Sequence, residues 1–259
     1  MVDTKKILRK WHILIKILPL LGLVMILKYA THTYDLEILA LSALFTSIVA
    51  ATTFLIGFLI TGVISDYKES EKIPGDLAAS LEALHDEAEI IYINKKSKEA
   101  KDFLEYHKSF ISSLEDWFYK KERTKALLAK VAGMNEHFAI LESQTQATFI
   151  NRMKQEQSNI RKTIIRVDNV RDLSFVASAY AVVEALTFFL ILGLLLLKQE
   201  PFYETMFLSG VVSFMVLYML FLIKDLDNPF DYSAHGETGT EVSLKPLRDL
   251  RERLYPGTK

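Results

Sequence analysis

Four apolar stretches, at residues 13–27, 36–64, 173–197 and 202–223, alternate with segments dense in charge, the longest of which is the block 66–172. A bilayer core about 30 Å thick is crossed by roughly 20 apolar residues wound as helix. The four stretches approach or exceed that length, so the sequence predicts an all-α integral membrane protein with four crossings and a long helical insertion. The composition agrees. Half of the 259 residues are apolar while 24% are charged, and the mean hydropathy is still +0.18. Both figures hold together because the two classes are segregated along the chain.

The formal net charge is only −1 and the basic residues are interleaved with acidic ones, so no field draws in nucleic acid. With no cysteine, disulfides, thiolate metal sites and thiol nucleophiles are excluded together. Lys5, Lys6, Arg9 and Lys10 precede the first apolar run in the manner of a signal peptide. Lys16 interrupts that run and no small-x-small cleavage site follows, so the segment is read as an anchor, with Lys16 close enough to the headgroups to snorkel. The short link 29–35 has no lysine or arginine and the link 198–201 has only Lys198, whereas the N-terminal flank, the block 66–172 and the tail from Lys224 are rich in them. By the positive-inside rule both termini are expected in the cytoplasm, in a plasma (inner) membrane. The expected domains are 1–66 (two spans), 67–172 (cytoplasmic helices), 173–223 (two spans) and 224–259 (cytoplasmic tail).

Within the insertion, Pro74 and the spacing of Leu77, Leu81, Leu84 and Ala88 predict a helix opening at Asp76 and continuing past Ile91. A second run, 98–131, carries Phe103, Tyr106, Phe110, Leu114, Trp117 and Phe118, with Gly133 as its expected stop. A third begins near Asn135, and no proline or glycine interrupts it before Gly193, so it is expected to run unbroken into the third span. Its stripe of Phe138, Leu141, Phe149, Met153, Ile160, Ile164 and Val167 needs partner helices, from the same chain or another copy. A short amphipathic helix is expected over 244–254.

No phosphate loop, G-x-G-x-x-G, G-x-S-x-G or H-E-x-x-H is present, so an enzyme is not expected. The six histidines are scattered. His85 and Glu89 share a helix face, but two ligands fall short of the three or four a metal site needs, and neither metal nor cofactor is expected. The second apolar stretch is the most informative: Ser42, Thr46, Ala50, Thr53, Gly57 and Thr61 recur at spacings of three and four. Such a small, hydroxyl-bearing strip either lets helices pack closely or lines a water-filled path. Phe54 and Phe58 lie one turn apart beside it. They suit lipid or a neighbouring helix, and in a symmetric oligomer they would form stacked apolar rings that gate by dewetting. Glu184 falls near the middle of the third stretch. A carboxylate at such depth costs about 2.5–3.5 kcal/mol on insertion scales, so it should meet protein or water or be protonated, with Tyr180 or a hydroxyl across the bundle as the simplest partner.

These features resemble the bestrophins, a family of pentameric membrane channels. The resemblance rests on the topology, on Phe54, Leu55, Ile56, Gly57 and Phe58 continuing through Thr61 and Val63 to an acidic stretch ending at Pro74, and on Asn228, Pro229 and Phe230 after the last span. The resemblance implies a homo-pentamer in the lipid bilayer that conducts inorganic ions; the family includes anion- and cation-conducting members, and anions are expected. Ala50, Phe54, Gly57 and Phe58 would form the apolar neck, and Thr46, Thr53 and Thr61 would supply partial hydration. Asp66, Tyr67 and Lys68 replace the family's tryptophan-rich stretch, and Asp231, Tyr232, Ser233, Ala234 and His235 replace its aspartate run. Asp231, Glu237 and Glu241 are at most remnants of a calcium clasp, since calcium needs six to eight oxygens, and calcium gating is not carried over. The chain thus resembles a divergent bestrophin-like branch. The competing expectation is a non-conducting membrane-anchored scaffold or sensor, in which the strip is buried against the first and fourth spans.

Overall fold

The structure is a computed structural model that describes residues 11–172, 177–232 and 241–257. Its elements are α1 (His12–Thr33), β1 (Leu39–Ala40), α2 (Ala43–Ser70), α3 (Ile73–Lys95), α4 (Lys98–Phe118), α5 (Thr124–Glu142), α6 (Ala147–Asp172), α7 (Ala177–Leu196), β2 (Leu197–Lys198), α8 (Phe202–Leu226) and α9 (Lys245–Leu254). They form two compact units, one of residues 1–67 and 174–227, the other of 68–173 and 228–259.

Among the described residues, the first unit holds four helices long and apolar enough to cross a membrane. Here α1 packs on α7 and α8, and α7 on α8, while α2 joins through Ile56, Leu59 and Val63, which meet Val183, Leu190, Leu194, Val216, Leu220 and Ile223. The outward surface is as apolar as the interior, with Ile26, Phe188, Phe189 and Phe207 all exposed. Helices apolar on every side are stable only where lipid replaces water. Two of the spans depart from the expected bounds. The second begins at Ala43 rather than Leu36, because Leu39 and Ala40 pair in parallel with Leu197 and Lys198 and the Ser42 hydroxyl accepts from the Phe45 amide at 3.2 Å, ending the strand and capping the helix. The first continues past Leu27 to Thr33. The third starts at Ala177 among the described residues, and the expected crossing point at 173–176 lies outside them.

In the second unit α3, α4, α5 and α6 pack in a ring, each on the next and α6 on α3, with α9 across α3 and α4. The stripe expected to seek partners finds them in its own chain: Phe138, Leu141, Met153, Ile160, Ile164 and Val167 are buried, and Phe149 is half-buried. The N-terminal proline expected to open a helix does so from Ile73, three residues before Asp76.

Two predicted runs are corrected. The run 98–131 is two helices, broken after Phe118, where Lys120 adopts a left-handed φ of 60°. The break is made by a distant residue. Arg171 stacks over the Trp117 ring at 4.5 Å and donates to the Phe118 carbonyl at 2.9 Å, satisfying an end carbonyl that helix continuation would otherwise take. Gly133, expected to stop that run, lies inside α5. A Cβ there would sit 2.6 Å from the Tyr106 hydroxyl, which donates to the Lys130 carbonyl at 2.5 Å. The glycine is therefore a close-approach residue between α4 and α5. The run from Asn135 also breaks, between Glu142 and Ala147, without glycine or proline. The Ser143 hydroxyl bonds the Ile140 carbonyl at 2.8 Å, the local competition by which serine and threonine unseat a helix.

His107 is wholly buried in this bundle, 3.0 Å from the Tyr255 hydroxyl. Burial, aided by the nearby His85, pushes its imidazole down to about 3. A depressed folded value means that the unfolded chain binds the extra proton first, so stability is lost as pH falls below the ordinary histidine range toward 3. Thermal melts of the purified protein should show that loss from about pH 6.5 downward, with a slope approaching 1.4 kcal/mol per pH unit, and His107→Leu should flatten it. A slope unchanged by that substitution rules out His107 as its source.

Candidate pore-lining face

On α2, 100° per residue separates two edges. One carries Thr52, Ile56, Leu59 and Val63, all buried against the unit's interior. The other carries Ser47, Ala50, Phe54, Phe58 and Thr61, all exposed. Phe54 and Phe58 are 72% and 73% exposed, so neither ring is wedged inside the protomer. Of the flanking positions, Thr46 is exposed and Thr53 and Gly57 are half-buried. Nothing lies within 4 Å of where a Cβ would stand on Gly57, so no helix of the same protomer approaches it closely. The hydroxyls of Thr46, Thr53 and Thr61 donate to the carbonyls four residues back, at 3.1, 2.9 and 2.9 Å. Each donor is thereby satisfied along the helix, and the oxygen lone pairs remain free to accept.

The start of α2 is fixed by residues whose importance the sequence reading missed. Lys28, 1% exposed, lies in the last turns of α1. Its ammonium donates to Glu37 Oε1 at 2.6 Å and to the Leu197 and Leu195 carbonyls at 2.5 and 3.4 Å. The Leu195 carbonyl lies in the last turn of α7 and the Leu197 carbonyl just beyond it in β2, where a helix end leaves acceptors unpaired and favours a cation. Glu37 is also bonded to His32 Nδ1 at 2.9 Å, and His32 stacks on Phe202 at 3.7 Å between ring centres. Burial alone would raise the Glu37 carboxyl, but the bonds from His32 and Lys28 hold it below the usual carboxylate range. Lys198 and Asp35 add an exposed pair at 3.0 Å. The cluster ties α1, the connection to α2, α7 and the start of α8 to one another. The available signal was a lysine ending one apolar run and a glutamate beginning the next.

Glu184 pairs with Lys224 in the last turn of α8, at 2.6 Å. Its partner is therefore a cation rather than Tyr180 or a hydroxyl, and both side chains are half-exposed. The approach of the two helices is what brings them together, and Lys224 lies 40 residues away in sequence.

Asn228, Pro229 and Phe230 belong to the second unit. Phe230 is fully buried against Phe118 at 6.1 Å, and the Pro229 carbonyl accepts from the Val242 amide at 2.9 Å. The motif thus docks the tail on the helical bundle. Of the residues considered as calcium remnants, Asp231 is ion-paired with Lys120, Glu241 is buried, and Glu237 lies outside the described residues. His85 Nδ1 stands 3.7 Å from Asp86 and 4.0 Å from Glu89, and their ligand atoms fall within 4.8 Å of one another. Both carboxylates are exposed, an arrangement equally served by surface ion pairing.

Among the described residues, four apolar helices, one of them turning an aromatic edge outward, define a four-span helical membrane protein. A family model described as the Bestrophin-like domain matches residues 13–233, and the chain belongs to the bestrophin-like family, which is known as a family of ion channels rather than enzymes. Among solved structures, a variant of a bacterial bestrophin homologue from Klebsiella pneumoniae matches with a TM-score of 0.77 at 15% identity, covering 94% of this chain and 99% of that one. A second variant of the same homologue matches at 0.75 and 16% identity, over 92% and 97%. A structure described as a membrane protein matches at 0.74 and 16%, over 96% and 99%. At such identities the likeness shows the fold. No curated protein sequence matches.

Replacing Glu37 by Gln leaves the Lys28 ammonium buried without its counter-ion, a loss of about 3–5 kcal/mol. Lys28→Met with Glu37→Gln removes the charges together and should recover most of it. Melting temperatures of the two variants in detergent check this; equal losses in the single and double variants would show that the pair is not coupled.

Proposed function

We propose that the chain is one subunit of a homo-oligomeric, anion-conducting channel, a pentamer as in the family it resembles, with the second helices around the central axis. The observation that carries the reading is the exposed edge of Phe54 and Phe58 on a helix whose opposite edge is fully packed. In an oligomer that edge, repeated around an axis, forms two stacked apolar rings, and such a constriction passes ions only when wetted. Ala50 extends the neck with a small residue, and Gly57 leaves room beside it for a neighbouring subunit. Thr46, Thr53 and Thr61 offer acceptor oxygens near the rings. The neck carries no fixed charge, and a phenyl ring presents an electropositive edge, which favours an anion over a cation when the edge faces the path.

The positive-inside distribution supports a plasma (inner) membrane location with both termini and the helical insertion in the cytoplasm. The non-conducting scaffold reading expects the hydroxyl strip to be covered by the first and fourth spans. The exposure of Thr46, Ala50 and Thr61 favours conduction over it.

Reconstitution in planar bilayers tests the reading. Wild type should carry current whose reversal potential follows the chloride gradient, and Phe54→Ala with Phe58→Ala should raise the conductance a few-fold, on the order expected when a dewetting constriction is opened. A monomeric mass in detergent together with silence of both proteins in the bilayer counts against it, and reversal at the cation potential refutes the selectivity.

A further inference from the structure

A cavity of about 250 Å3 lies in the membrane-spanning unit, between the first turns of α2 and α8 and the last turn of α7. Its walls are apolar, formed chiefly by Phe45, Val49, Leu194 and Val212. The room for Phe45 is made by Gly193, where a Cβ would stand only 2.8 Å from the ring. Of the hydroxyls that line it, Thr46 donates to the Ser42 carbonyl at 3.1 Å and Thr205 to the Gln199 carbonyl at 2.7 Å. Ser209 differs. It lines the same cavity, is 3% exposed, and its hydroxyl has no hydrogen-bond partner among the described residues.

A buried hydroxyl without a partner costs about 1–3 kcal/mol, so this position calls for a polar atom from outside the protomer. The neighbouring Thr46 and Thr205 hydroxyls have spent their protons on backbone carbonyls, and neither is bonded to Ser209. The walls instead suit a molecule that brings one acceptor on a long apolar body. Leu41 and Leu208, both about half-exposed, lie at the cavity's margin, and around a membrane-spanning helix such surface is met by lipid.

We propose that this cavity holds one acyl chain of a bilayer phospholipid, with the Ser209 hydroxyl donating to the ester carbonyl of that chain. Moving a chain from bilayer to cavity gains nothing from the hydrophobic effect, because lipid tails are already apolar. Retention therefore depends on fit and on the hydrogen bond. Phe45 is nine residues from Phe54, half a revolution around α2, so the cavity touches the proposed ion path only through Thr46, and the Ser209 bond is tested independently of the channel reading.

Native mass spectrometry of the purified protein, with palmitoyl-oleoyl-phosphatidylglycerol as probe, tests the assignment. One phospholipid should remain per protomer in wild type, and Val212→Trp, which fills the cavity, should abolish it while the elution profile stays unchanged. Ser209→Ala, which is nearly isosteric, should weaken retention about five- to tenfold. An ether-linked phosphatidylglycerol without the carbonyl should bind wild type more weakly by a similar factor and should not distinguish wild type from Ser209→Ala. Absence of bound lipid, equal retention by Val212→Trp, or equal preference for ester and ether lipid in wild type overturns the proposal. So does palmitate binding as tightly as the phospholipid, which would assign the site to a free fatty acid.

Discussion

The arrangement of the membrane unit depends on one buried ion pair. Lys28 brings a charge into the apolar end of α1, where it must be fully satisfied or unfold its surroundings, and the groups that satisfy it come from three other segments. An ammonium has three donors and no acceptor, and here Glu37, the Leu195 carbonyl of α7 and the Leu197 carbonyl of β2 take all three. The carbonyls are the ones a helix end leaves unpaired, so the lysine serves as cap and as counter-ion at once. The two-residue pairing of β1 with β2 begins beside it and sets where α2 starts.

From that start, α2 runs as a helix with two edges of different fate. One is spent on the protomer's interior, through Ile56, Leu59 and Val63. The other has no partner among the described residues, although it carries two of the largest apolar side chains of the helix. A membrane helix can leave such an edge to lipid, so exposure alone does not assign it. Its combination with hydroxyls at either end, and with the family's fold, is what favours an ion path over a lipid-facing surface.

The second unit solves a different problem. Its helices are amphipathic and must bury their stripes in water. They do so against one another, with Phe230 inserted from the tail and α9 fastened by Arg251 to Glu115 and by Arg253 to Glu82 at 2.7 Å. The helix breaks in this unit show the limit of local signals. Gly133 reads as a stop and is a contact residue, while the break that does occur after Phe118 is enforced by Arg171, more than fifty residues later. The break at Ser143 is encoded locally, in a hydroxyl that competes for a backbone carbonyl.

The sequence by itself determined the four spans, the helical character of the insertion and the shared edge of Phe54 and Phe58, because hydrophobic length and periodicity are local properties that a bilayer or a core reads directly. Only the tertiary structure decided that Lys28 meets Glu37, that Glu184 meets Lys224, that the third stripe is covered by its own chain, and that Ser209 faces a cavity without a partner. Each of these joins residues that periodicity treats separately. Whether a charge or hydroxyl in an apolar segment is costly or stabilising depends on what the folded chain brings within about 3 Å of it, and that distance is set by packing.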